Sequence, residues 1–266
     1  MKITVVGAGN MGGALARGWA KSAEVGAENI TVSDLNQDTL KKIKEEFPGI
    51  TVMTDNAAAV RGADVVVCAV KPWLVEPVVK GIKDSIDYDR QVVVSIAAGV
   101  MSDKLIGFFQ REDGKVPPLF YVIPNIAAEF CQSMSFVSAA PGVDQSTKEK
   151  VRDLFAAVGD SLLVEERLVN PGMMMASCGI AHVMRYIRAM QEGGVEMGFY
   201  PAEALKIAMQ TMLGAVNLLK STGLHPEAAI DKVTTPGGTT IKGLNQLDHS
   251  GFNSAVIKAL KAGLLC

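Results

Sequence analysis

The sequence predicts an α/β half followed by an all-α half. Three observations carry this. Short β-branched runs alternate with helical patterns through the first half. A Gly-x-Gly-x-x-Gly stretch joins the first such run to the first helix. From Pro171 onward the strand patterns stop and helical patterns follow one another. The expected division is residues 1–163 and 164–266. Two halves of this size can each bury a core without disulfides or metals.

The first half opens with the strand pattern Ile3–Val6, then Gly7-Ala8-Gly9-Asn10-Met11-Gly12, then a helix with Leu15, Trp19 and Ala20 on one face. The spacing has a mechanism. Gly7 permits the tight strand-to-helix turn, Gly9 lets a pyrophosphate reach the backbone, and Gly12 lets the helix pack on the strand. The next strand, "NITVSD", ends in Asp34, twenty-two residues after Gly12. An acidic side chain there reaches the ribose hydroxyls of a dinucleotide. A Rossmann-type doubly wound sheet is therefore expected. Charge favours NAD(H) over NADP(H), because Asp34 repels a 2′-phosphate and no arginine follows it closely.

Further strands follow at α/β intervals. "ADVVVCAV" is a continuous apolar run, as a strand buried on both faces requires. It ends in Lys71-Pro72. "RQVVVSIAAGV" ends in Ala97-Ala98-Gly99, and "PLFYVIPN" ends in Pro124-Asn125. "SMSFVSAAP" is a further strand candidate. Ligands of open α/β sheets sit outside the carboxyl ends of the strands. The candidate cofactor contacts are therefore Gly7, Gly9, Asn10, Met11, Gly12, Asp34, Asn56, Ala69, Val70, Lys71, Pro72, Ala97, Gly99 and Asn125. Lys71 has a second reading as a solvated lysine, Asn125 as a turn residue and Asn56 as a helix cap.

The second half reads as helices. "MMMASCGIAHVMRYIRAMQEGG" ends at a glycine pair. "PAEALKIAMQTMLGAVNLLKSTG" opens on proline and stops at glycine. Eight of the thirteen methionines lie between Met173 and Met212. Helices apolar on more than one face are normally buried, and about a hundred residues cannot bury all of these alone. A subunit interface is expected, with methionine as an adaptable filler. The pattern breaks once, at "DKVTTPGGTTIKGLNQL", and resumes at Ile241. Such a loop exposes backbone N–H groups at a helix start, a place that suits an anion.

Composition excludes several classes. The chain is 48% hydrophobic with a net charge of −2 and no basic run, which argues against nucleic acid as a partner. Cys68, Cys131, Cys178 and Cys266 form no CxxC pair, which fits a reducing cytoplasm. His182, His225 and His249 are scattered, so no metal site is expected. No signal-peptide pattern is expected at the start. No apolar run reaches the ~18 residues of a membrane span.

Taken together, the chain resembles the pyrroline-5-carboxylate reductases. The resemblance spans the chain and rests on Gly7–Gly12, "AVKP" (Ala69–Pro72), "SIAAGV" (Ser95–Val100), "IPN" (Ile123–Asn125) and above all "VTTPGGTTIKGL" (Val233–Leu244). It implies a nucleotide-binding domain followed by an all-α dimerisation domain, in a homodimer or an assembly of dimers. It implies a cytoplasmic oxidoreductase of the last step of proline biosynthesis, reducing a cyclic imine to L-proline with NADPH or NADH. The substrate carboxylate is then held by the loop of Thr235, Gly237, Gly238, Thr239 and Thr240. The Thr240 hydroxyl is the catalytic candidate beside the ring nitrogen. Read from the residues alone, the same hydroxyl is equally a helix cap.

Some segments depart from the family. Where it usually reads like G-S-G-P-A-Y, this chain has Ser177-Cys178-Gly179-Ile180-Ala181-His182. Where it usually reads like P-N-T-P-A, this chain has Pro124-Asn125-Ile126-Ala127-Ala128, and Arg188 stands at a commonly acidic position. These leave two alternatives: a dinucleotide-binding relative acting as a regulator, or a reductase of another cyclic imino acid. His182 reads as a proton donor or as a hydrogen-bonded core residue, and Cys178 as a small packing residue. The hydroxyacid dehydrogenases share the two-part plan but place a catalytic lysine on the long helix. Met173 to Gly193 contains none.

Overall fold

In a computed structural model the described residues are 1–265. Cys266, one of the four cysteines above, lies outside them. The chain forms two compact units, Met1–Ser177 and Cys178 onward.

The first unit is built on an eight-stranded sheet. Its strands are β1 (Ile3–Val6), β2 (Ile30–Ser33), β3 (Thr51–Met53), β4 (Val65–Cys68), β5 (Val92–Ser95), β6 (Leu119–Ile123), β7 (Ser133–Ala139) and β8 (Gly159–Leu163). The order is β3-β2-β1-β4-β5-β6-β7-β8. Every pair is parallel except β6 with β7. The helices are α1 (Asn10–Lys21), α2 (Gln37–Glu46), α3 (Asn56–Ala59), α4 (Val75–Ile82), α5 (Ser102–Phe109), α6 (Gln145–Ala156) and α7 (Val169–Ala176).

Successive strand residues face opposite sides, and here both sides are covered. Val5, Val67, Val94 and Val122 join α1, α2 and α6 residues in one core. Val6, Val66, Val93 and Tyr121 join α4, α5 and Val169 of α7 in the other. That double covering is why the central strands read as unbroken apolar runs. Trp19 is fully buried on α1. Its indole N–H donates to the Leu154 carbonyl at 2.8 Å and its ring meets Phe155 edge-on.

Three details differ from the sequence expectations. Strand β8 carries no strand signal, because Gly159 and Asp160 are polar or flexible and only Ser161 is buried. The segment 164–177, assigned above to the second half, belongs to the first compact unit, where α7 packs on β6 and β7. Gly193 and Gly194 do not end a helix. They lie inside α8 (Gly179–Glu196), and a Cβ on Gly194 would sit 2.9 Å from the Ala204 Cβ. That glycine is what lets α9 approach.

The second unit contains α8, α9 (Pro201–Thr222), α10 (Pro226–Val233), α11 (Thr239–His249) and α12 (Phe252–Ala262). Ala204 and Ala208 are buried between α8 and α9. Most of its larger apolar side chains are exposed in the single chain. Met184, Met197, Phe199, Ile207, Leu213 and Val216 are among them. Among the described residues, no helix is long and apolar enough to cross a membrane.

Candidate active site

A cavity of about 530 Å³ in the first unit lies at the carboxyl ends of the central strands. Gly7, Gly9, Asn10 and Met11 line it from the loop after β1, Asp34 from β2, Ala69–Pro72 and Leu74 from β4, and Ile96–Ala98 from β5. Ten predicted cofactor contacts thus come together: Gly7, Gly9, Asn10, Met11, Asp34, Ala69, Val70, Lys71, Pro72 and Ala97. Ala98, inside the Ala97–Gly99 loop, lines the cavity as well, whereas Leu74 and Ile96 were not among the candidates. Apolar wall residues carry no spacing signal of their own.

The glycine loop can be explained residue by residue. Gly7 has φ +103°, and a Cβ there would lie 2.7 Å from the Ala69 carbonyl oxygen. A Cβ on Gly12 would lie 1.9 Å from the Gly7 carbonyl oxygen. Gly12 is therefore a packing glycine behind the cavity. Gly9 is different. A Cβ there meets nothing within 4 Å, and the residue faces the cavity. The protein's own packing gives no reason for a glycine at this point, whereas close approach of a ligand does. Helix α1 starts here with no side-chain cap and no acidic residue in its first turn. The N–H groups of Asn10, Met11 and Gly12 point outward unpaired, as a pyrophosphate requires.

Asp34 is held on the cavity wall. Its Oδ2 accepts from the Ala8 N–H at 2.6 Å and its Oδ1 from the Asn36 N–H at 2.8 Å. The buried thiol of Cys68, at the end of β4, is pushed up to about 12 by desolvation, so it is no nucleophile.

Three other candidates sit beside the cavity rather than on it. Asn56 begins α3 and its Oδ1 accepts from Ser33 Oγ at 2.5 Å. The cap of that helix is Asp55, which accepts from Ala57 and Ala58. Asn125 is buried, and its Oδ1 accepts from the Ala127 N–H at 3.0 Å, so the turn reading describes it. Gly99 turns the chain at φ +78° and donates to the Tyr121 hydroxyl.

In the second unit the Thr235–Thr240 loop is a built turn. Pro236 stands second and Gly237, at φ +69°, third. The Gly238 N–H closes the turn on the Thr235 carbonyl at 2.9 Å. This fits a type II turn. A Cβ on Gly238 would lie 2.5 Å from Thr235 Oγ1. Helix α11 then starts at Thr239, two residues before the sequence pattern resumed, with Gly238 as N-cap and no side-chain cap. Thr240 is thus the second helical residue and caps nothing. Thr235, Thr239 and Thr240 are exposed, and among the described residues their hydroxyls have no hydrogen-bond partner. The loop presents the unpaired N–H groups of Thr239, Thr240 and Ile241 with the free hydroxyls of Thr239 and Thr240 at a helix N-terminus.

His182 is exposed on α8, not a core residue. It borders an apolar cleft of about 530 Å³ with Tyr186 and Phe252. Arg188 pairs with Glu192 and Gln191 along the same helix.

Comparison with known proteins agrees with both halves. Residues 166–264 match the family described as pyrroline-5-carboxylate reductase dimerisation. Residues 2–99 match the family described as NADP oxidoreductase, coenzyme F420-dependent. A pyrroline-5-carboxylate reductase of Methanosarcina acetivorans is 36% identical, over 97% of this chain and 94% of that protein. Pyrroline-5-carboxylate reductase 1 of Dictyostelium discoideum is 34% identical over 97% of this chain. The chain spans about half of that protein, 48% of its length. A solved structure of the Plasmodium falciparum pyrroline carboxylate reductase with NADP bound superposes with a TM-score of 0.85. It is 25% identical and covers 99% of this chain and 95% of the other. The chain belongs to the pyrroline-5-carboxylate reductase family.

Proposed function

We propose that the protein reduces 1-pyrroline-5-carboxylate to L-proline with NADPH or NADH, the last step of proline biosynthesis. The observation that carries this is the Thr235–Thr240 turn, with its unpaired N–H groups and free hydroxyls, in a chain of this family.

The first unit supplies the nucleotide pocket. The N–H groups of Asn10, Met11 and Gly12 hold the pyrophosphate, Asp34 takes ribose hydroxyls, and Ala69–Pro72 with Ala97 and Ala98 form the wall for a flat ring. The bound reduced nicotinamide supplies a hydride. The second unit supplies the carboxylate site. Backbone N–H groups of Thr239, Thr240 and Ile241 hold the anion, aided by the helix dipole, worth up to ~2 kcal/mol. The Thr240 hydroxyl, free of any cap duty, hydrogen-bonds at the ring nitrogen. It orients a proton there but is too weak an acid to supply one alone. Most of the acceleration then comes from positioning.

The exposed apolar side chains of α8 and α9 support a homodimer, in line with the dimerisation family matched by this region. The reading places the protein in the cytoplasm with a small-molecule substrate. A second reading, reduction of another cyclic imino acid, is favoured by one observation: Ser177–His182 departs from the family pattern.

The test compares pyrroline-5-carboxylate with 1-pyrroline, which lacks the carboxylate. A carboxylate site at this turn gives a kcat/KM at least about a hundredfold higher for the carboxylated imine. Thr240→Ala should lower kcat. Equal rates on the two imines would refute the carboxylate site.

A further inference from the structure

We propose that Asp34 makes the nucleotide site selective for NADH over NADPH. The proposal rests on the dinucleotide reading above and adds to it the identity of the preferred cofactor.

The structure fixes the charge of Asp34 in place. Two backbone N–H groups, of Ala8 at 2.6 Å and Asn36 at 2.8 Å, hold one carboxylate oxygen each. The side chain cannot swing away to make room for a phosphate without leaving both donors unpaired. Each oxygen keeps a lone pair for a ribose hydroxyl. Asp34 lies on the cavity wall, so a 2′-phosphate would meet a fixed like charge.

Among the described residues, no cation pairs with Asp34. A 2′-phosphate is ordinarily met by an arginine close to this position. The next residue here is Leu35, which is 84% exposed and has nothing to offer an anion. Among the described residues, Lys71 is the one cation on the cavity wall. It follows β4, and Asp34 follows β2, with β1 between them. Two strand spacings put them roughly 10 Å apart. Most cations of α1 and α2 have other partners. Arg17 pairs with Glu46, Lys41 lies 3.9 Å from Glu45, and Lys44 donates to the carbonyls of Pro48 and Ile50. Lys21 of α1 donates to the Glu129 carbonyl, and the exposed Lys42 stands six residues along α2 from its first turn cap, Asn36.

The test is the dissociation constant of each reduced nucleotide for the purified full chain, read from nucleotide fluorescence without substrate. A fixed carboxylate opposite a phosphate of like charge predicts that NADH binds about ten- to a hundredfold more tightly than NADPH. Asp34→Asn removes the charge and keeps an acceptor, and it should bring the two within about threefold. Leu35→Arg changes an exposed side chain only, and it should tighten NADPH about tenfold while leaving NADH unchanged. Equal or tighter NADPH binding by the wild-type chain overturns the proposal, as does an unchanged ratio in Asp34→Asn. Binding of neither nucleotide overturns it together with the pocket itself. An NADH-selective protein that turns over no imine would leave this proposal standing and refute the proposed reaction.

Discussion

The phenol of Tyr121 accepts a hydrogen bond from the backbone N–H of Gly99 at 3.1 Å and donates to Asn170 Oδ1 at 3.4 Å. Tyr121 is fully buried on β6, and Gly99 ends the Ile96–Ala98 wall of the nucleotide cavity. Burial pushes the phenol above its usual value, so it stays protonated and keeps both bonds through the neutral range. Through it, a strand beside the cavity ties the β5 loop to α7.

Tyr121→Phe should therefore leave the Gly99 N–H and the Asn170 side chain without their partner. The expected cost is about 1–2 kcal/mol of stability, read from urea unfolding. Nucleotide affinity should fall a few-fold, because the loop loses its tether. An unchanged affinity would mean that the glycine turn holds its own shape.

Gly9 and Gly12 predict opposite outcomes for one added methyl group. Gly12→Ala forces a Cβ to 1.9 Å from a backbone oxygen, so it should cost about 1–3 kcal/mol of stability as well as binding. Gly9→Ala adds a Cβ in open space. It should leave unfolding within about 0.5 kcal/mol of wild type and still weaken nucleotide binding at least about tenfold. Thermal unfolding beside nucleotide titration separates the two.

The Arg17–Glu46 pair carries a pH dependence of known sign. The guanidinium hydrogen bond holds the Glu46 carboxyl below its ordinary 4.5. A depressed acid contributes stability above its unfolded value and loses it as pH falls through the folded one. Arg17 is mostly covered, at 20% exposure, but Glu46 keeps 46%, so solvent screening holds the pair to about 1 kcal/mol. Glu46→Gln should destabilise by that amount at pH 7. The difference should vanish once the pH falls below the depressed Glu46 value. A difference that persists there would point to packing, not charge.

Much of this was legible in the sequence for identifiable reasons. Strands buried on both faces leave runs such as Val65–Cys68, and a phosphate loop needs glycines at fixed spacing, so β1, β4 and the Gly7–Gly12 turn announce themselves. Strand β8 does not, because an edge strand with one buried side chain needs no apolar pattern. Gly194 read as a helix stop because a single sequence does not say which neighbour needs the space its side chain would fill. Asn56 and Asn125 were placed near the cavity by their strands. In the structure the Oδ1 of Asn56 accepts from Ser33 and that of Asn125 from the Ala127 N–H. Tyr121 gave no signal at all, since a tyrosine in an apolar strand looks like core until its hydroxyl finds Gly99.

The most direct test of the central claim is the amount of proline formed per reduced nucleotide consumed, with purified protein and pyrroline-5-carboxylate. The account predicts a one-to-one yield of L-proline with saturable kinetics, and a loss of kcat in Thr240→Ala with nucleotide binding intact. Nucleotide binding without any proline, under conditions where both ligands are saturating, would contradict it.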